Sequence, residues 1–209
     1  MLSLRKMPSS KGQILVAIAI LLMLGLAVAG LLVNHAYLKN NAESLAIGAL
    51  RNSALSALQH TDPCMGFGRY YIKIEDHPTE PSCNNGPDSQ PLPTADTIVR
   101  QLLHDNLVPQ ERLYSYDVDV VLDPNGSNGG DGLDVEVINY DPAGVDHVAS
   151  LNNVPYPPTV NGDGHVISQL TGAAYSHSIV AVRLRLPILQ LNQPDIQLDR
   201  TMVVQAGER

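Results

Sequence analysis

Residues 11–33 read KGQILVAIAILLMLGLAVAGLLV, and residues 34–59 read NHAYLKNNAESLAIGALRNSALSALQ. From Ile14 to Val33 there is no charged residue and no proline. At about 1.5 Å of rise per residue, a helix over this run covers roughly 30 Å, the thickness of a bilayer's hydrocarbon core. A helix is the open segment that can cross lipid, because lipid offers no partner to an unpaired backbone group. After the polar step at Asn34-His35 the pattern changes. Leu38, Ala42, Leu45, Ala46, Ala49, Leu50, Ala54, Ala57 and Leu58 recur with the 3.6-residue period of an amphipathic helix. Lys39, Asn40, Glu43, Arg51 and Asn52 occupy the other face, and Asp62-Pro63 ends the pattern. One apolar stripe in water needs a cover, and the chain that follows is the expected cover.

Charge fixes an expected orientation. Arg5, Lys6 and Lys11 precede the apolar run and no acid does. The rest of the chain carries all 21 acids against 10 of the 13 Lys and Arg, a net of −11. The positive-inside rule then keeps the N-terminus cytoplasmic and exports the remainder. An acidic exported domain argues against nucleic-acid binding, since phosphates would be repelled. The expected parts are a basic leader (1–12), a transmembrane helix (13–33), an amphipathic stem helix (34–59) and an exported α+β domain (60–209). With no Trp and a single Phe, Phe67, the core must be built from Val, Ile, Leu and Tyr.

Two cysteines, Cys64 and Cys83, allow one intramolecular pairing. In an oxidising compartment they are expected as a disulfide. With the opposite topology they would be free thiols. Within the membrane run, Gly25 and Ala29 stand four apart with Gly30 beside them. This spacing lets helices approach closely in lipid, and it is also ordinary small-residue content of a membrane helix.

Further along, Arg69–Glu75 reads as a short strand, and residues 94–106 as a helix with Thr94 or Asp96 as N-cap. The period then becomes two. Alternation over 114–122, 133–138, 180–186 and 196–204 predicts half-buried strands. Proline and glycine across 141–165 predict a long surface loop. The expected fold is about five mostly antiparallel strands with the stem helix on one face.

The loop at 123–134 is the one candidate ligand site. Asp123, Asn125, Ser127, Asp131 and Asp134 fall at positions 1, 3, 5, 9 and 12 of an EF-hand-like register, where hard oxygen ligands could converge on calcium. The competing reading is a solvated turn rich in Asn, Asp and Gly. No other cofactor is expected. Tyr175-Ser-His-Ser178 lacks the spacing of a nucleophile elbow, and the seven histidines form no ligand motif, so no enzymatic activity is expected.

Two processing sites are legible. Ala27-Val28-Ala29 is an A-x-A sequence whose cleavage would leave Gly30 first. Lys11-Gly12-Gln13 before an uninterrupted apolar helix resembles the prepilin-peptidase site of type IV pilin-like proteins, which implies cleavage after Gly12 and a mature chain starting at Gln13. Pilins carry Glu at the fifth mature position where this chain has Ala17, a departure that suits a minor component or a permanent anchor. The segment Leu38-Lys-Asn-Asn-Ala-Glu-Ser-Leu-Ala-Ile-Gly-Ala49 resembles the LQNAADAAALAGA segment that follows the membrane helix of TadE/TadG-like proteins in tight-adherence (Flp) pilus systems. Gly12-Gln13, the apolar span and Val33-Asn34 match the same family's entry and exit. The resemblance covers about 50 residues. It implies a pilin-like fold and a membrane-anchored structural component of a pilus or secretion assembly: a minor pilin, a pseudopilin or an assembly factor. Its implied partners are other assembly subunits through the N-terminal helix, the membrane, and further copies of the chain. The alternative is a secreted or anchored binding module of the adhesin kind, stabilised by calcium.

Overall fold

The computed structural model describes residues 10–62, 71–75, 91–113, 118–122, 132–143, 147–188 and 196–206. One helix, α1, runs from Ser10 to Gln59 and passes through Asn34-His35 without interruption. The chain divides into two compact units, Met1–Asn40 and Asn41–Arg209. The described part of the first is the N-terminal part of α1. The second begins inside the same helix, so residues 41–59 belong to the globular unit.

That unit is α+β. Helix α2 (Ala95–Leu107) is capped by Thr94, whose hydroxyl accepts from the Thr97 N–H. A 3-10 turn (Val108–Leu113) and a short helix α3 (Val118–Leu122) follow. Then come β1 (Leu133–Asn139), β2 (Val148–Leu151), β3 (Val154–Tyr156), β4 (Thr159–Val160), β5 (Val166–Ile167), β6 (Ala174–Tyr175), β7 (Ile179–Ile188) and β8 (Ile196–Gln205). The central sheet has the order β3-β2-β1-β7-β8, all antiparallel, and a small sheet has the order β4-β5-β6.

Alternation along the strands assigns the two faces of the central sheet. Leu133, Val135 and Val137 on β1, the four residues Val180, Val182, Leu184 and Leu186 on β7, and Leu198 and Val204 on β8 share one core with the helices. The helices contribute Ala42, Ala46, Ala49, Leu50, Ala54 and Ala57 from α1, and Ile98, Val99, Leu103 and Leu107 from α2. Alanine predominates on α1 because a side chain of one carbon lets a helix lie close to its neighbours. The opposite face carries a smaller core in which Ile138, Ala149, Ile179 and Ala181 meet Val166 of the small sheet.

Three expectations change. Residues 118–122 are helical, although their Val/Asp pattern suggested a strand. The buried residues Val118, Val121 and Leu122 stand at i, i+3 and i+4, which is helical spacing. Gly132 permits this arrangement, because a Cβ there would lie 2.3 Å from Val121 Cγ1 and 2.8 Å from the Val121 carbonyl oxygen. The expected loop at 141–165 contains β2, β3 and β4. Asn152 and Asn153 take φ of 51° and 61° and turn β2 into β3, as a two-residue hairpin with left-handed central residues requires. In the expected strand at 69–75, the described part makes only one bridge, Ile72 with Thr61. The central sheet therefore does have five strands, but β2 and β3 complete the number and 71–75 and 118–122 do not; residues 69–70 and 114–117 lie outside the described residues.

Candidate functional site

The N-terminal part of α1 is apolar and open on every side. Leu15, Leu21, Met23, Leu26 and Val33 are each about 70% exposed, and nothing approaches within 4 Å of a Cβ placed at Gly25 or Gly30. A stripe would leave one face for a protein neighbour, but here the exposure runs round the whole helix. The helix is long and apolar enough to cross a membrane. Just beyond this run, Tyr37 is exposed and Lys39 half-buried, which suits residues of a membrane–water interface. Gly12 and Gln13 lie in the first turns of α1.

In the globular unit the main concentration of polar chemistry is Glu136. It stands mid-strand on β1, fully buried, on the face turned toward the small sheet. Its carboxylate accepts from the Ser168 and Tyr156 hydroxyls, from the Gln169 N–H at 2.7 Å and from the Leu170 N–H at 3.2 Å. The loop that supplies three of these donors is itself closed tightly. Ser168 N–H donates to the Ala173 carbonyl, Thr171 N–H to Ser168 Oγ, and Gly172 N–H to the Ser168 carbonyl. Gly172 takes φ of 71°, a turn glycine adopts without strain. Four donors spread the charge of a carboxylate that has left water, which is the condition for burying it. Burial pushes the Tyr156 phenol above its ordinary value, and so do the hydrogen bond to Glu136 and that group's negative charge. The Gln169 backbone opposes them weakly.

Further along the same face the sheet carries ion pairs. Arg185 meets Asp134 at 2.6 Å, and Arg183 meets Asp199 through two nitrogens at 2.8 and 2.6 Å. Asp134 also accepts from Asn152 Nδ2 at 3.3 Å. A third polar node joins α2 to the β2–β3 turn. Asp96 accepts two hydrogen bonds from Arg100 and one from Asn153, and Arg100 also donates to the Leu122 carbonyl.

Of the expected calcium ligands, only Asp134 lies among the described residues, and its carboxylate is engaged by Arg185 and Asn152. Asp123, Asn125, Ser127 and Asp131 lie outside them, as do Cys64 and Cys83. Among the described residues no three His, Cys, Asp or Glu side chains gather as a metal site would need. Ser176 Oγ and His177 Nδ1 are 3.0 Å apart, within hydrogen-bond reach because residues 176 and 177 form a bend and do not alternate as in a strand.

Sequence reasoning missed Glu136 and Asn139. Glu136 read as the outward residue of an alternating strand. The available signal was the turn Ser168-Gln-Leu-Thr-Gly172, whose free N–H groups need an acceptor. Asn139 is buried, and its amide both accepts from Ile72 N–H at 2.8 Å and donates to the Ile72 carbonyl at 2.9 Å. It serves the Ile72 N–H and C=O, which the bridge to Thr61 leaves unused, as the backbone of a strand would. Compared with family models, with curated proteins and with solved structures, the chain finds no match.

Proposed function

We propose that this chain is a single-pass, membrane-anchored structural subunit of a pilus or secretion assembly, of the TadE/TadG-like kind, with its N-terminus cytoplasmic and its C-terminal unit extracytoplasmic. The observation that carries this reading is the character of α1. One continuous helix is apolar and exposed all round from Ile14 to Val33, and by residues 42–57 it contributes a buried alanine face to a globular core. The positive charges at Arg5, Lys6 and Lys11 support the orientation, and the segment from Leu38 to Ala49 supports the family. The role is mechanical: the anchor retains the subunit in the bilayer until its partners engage.

The test is the N-terminus of the mature protein, taken from membranes and from sheared surface fibres. A start at Gln13 makes it a processed, pilin-like subunit. A start at Met1 makes it a permanent anchor and so an assembly factor. A start at Gly30 removes the span and overturns the reading. A deletion strain that assembles normal surface fibres would also count against it.

A further inference from the structure

The central sheet has two edges, and only one is closed. Asn152 N–H bonds to the Val135 carbonyl on β1, so by antiparallel alternation Ser150 also bonds toward β1. Its partner on β3 is Pro155, which therefore turns its backbone outward. Proline has no N–H, so the outer side of this three-residue strand offers no donor. The other edge is β8, ten residues long and without proline. Ala206 N–H donates to the Ser178 carbonyl, which places the even-numbered residues of β8 in bonded pairs with β7. Asp199, Thr201, Val203 and Gln205 then direct their N–H and C=O groups to the free side. Among the described residues no strand pairs there.

A groove runs beside this edge, lined by Arg51 and Leu55 of α1 and by Met202, Val203, Val204 and Gln205 of β8. Its lining mixes the apolar Leu55, Met202, Val203 and Val204 with Gln205, and its charge is the Arg51 guanidinium. Arg51 is exposed and has no hydrogen bond or ion pair among the described residues.

We propose that β8 is a docking edge for an extended strand of a second protein, one with apolar residues on the row facing α1 and a carboxylate in that row for Arg51. Backbone bonds to the odd positions of β8 would supply affinity, and the groove would supply selectivity. Charge argues against a second copy of β8 as the occupant. Its helix-side row is Leu198, Arg200, Met202 and Val204, which holds no carboxylate for Arg51 and whose one charge, Arg200, already lies 3.9 Å from Glu43 of α1.

The probe is a short fluorescent peptide alternating valine and threonine, with one valine replaced by glutamate, titrated against the full chain in detergent micelles. The glutamate peptide should bind, and its lysine counterpart should bind about fivefold more weakly. Arg51→Ala should erase that difference. Val203→Pro removes an outward N–H that β7 does not use, and should abolish binding with the fold intact by circular dichroism. If that variant misfolds, the same peptide N-methylated on alternate amides carries the test from the other side, and it should not bind. Failure of the glutamate peptide to bind, equal binding of the glutamate and lysine peptides, or binding that survives N-methylation would each overturn the proposal. So would a dimer of the chain alone that is lost with Val203→Pro, because the occupant would then be a second copy.

Discussion

On one side of the central sheet, Val135, Val137, Val182 and Leu184 meet alanines of α1 and leucines of α2. On the other, the same two inner strands present Asp134, Glu136, Arg183 and Arg185. The first side is held by apolar area removed from water, which is non-directional and tolerates local rearrangement. The second adds to its smaller apolar core a few directed bonds, and the buried set among them, at Glu136, has no water to replace a lost partner. The two sides should therefore fail differently. Removing an atom from the helix side leaves a cavity, whereas removing one from the Glu136 site leaves orphaned donors.

The largest effect should come from Glu136→Ala. It removes the acceptor for two hydroxyls and two backbone N–H groups at once, of which Ser168 Oγ is deeply buried. We expect a loss of about 4 kcal/mol in denaturant unfolding, and about half that for Glu136→Gln, which keeps one oxygen. Leu50→Ala should cost about 3 kcal/mol through its cavity, since Leu50 is fully buried. Leu22→Ala, on the exposed part of the same helix, should leave the unfolding of the globular unit unchanged. If Glu136→Ala cost less than Leu50→Ala, the directed bonds would be the weaker support and the contrast between the two sides would collapse.

This contrast also decides what could be read from the sequence. The helix side is periodic. The i, i+4 alanines of α1, the N-cap at Thr94 and the alternation on β1, β7 and β8 were all legible, because burial of apolar area repeats with the geometry of the element. The polar side is not periodic. Glu136 is recognisable as an inward residue only once the loop at 168–172 is known to lie over it. Asn139 serves the Ile72 backbone with its side-chain amide, and no pattern in either segment announces that pairing. Asn152-Asn153 was the exception, a two-residue hairpin signal between short β-prone runs, obscured by the prolines around it. The span from Ile14 to Val33 needed no tertiary information, since its own length and composition define it.

A pH titration sharpens the comparison at its buried end. The Tyr156 phenol is held above its ordinary value of 10.0, first by burial and then by Glu136. A folded-state pKa raised above the unfolded one contributes stability that is fully present below about 10 and is lost as pH rises through the folded value. Absorbance titration should show Tyr156 resisting ionisation after the exposed tyrosines have ionised, then ionising together with unfolding. In Tyr156→Phe that late step should vanish. A Tyr156 signal that titrates at the ordinary phenol value would mean the Glu136 site is open to water.

The smallest effect should lie at Asp199, on the solvated end of the same face. The hydrogen bonds from Arg183 hold its carboxyl below the ordinary value of 3.8 against the opposing effect of burial, and the charges of Arg183, Arg185 and Arg200 add to the depression. A depressed carboxylate pKa contributes stability that is present above the unfolded value and is lost as pH falls through the folded one. Asp199 is exposed and Arg183 about one-third exposed, however, so water and salt screen what the geometry offers. Arg183→Ala should therefore move the Asp199 titration midpoint upward by NMR while leaving the unfolding midpoint at neutral pH within error. A carboxylate's bonds would then be decisive at Glu136 and negligible at Asp199, two strands away on the same sheet face. If instead Arg183→Ala destabilised the fold as much as Leu50→Ala, exposure would not be what separates them, and the ion pairs of this face would have to be counted as part of the core.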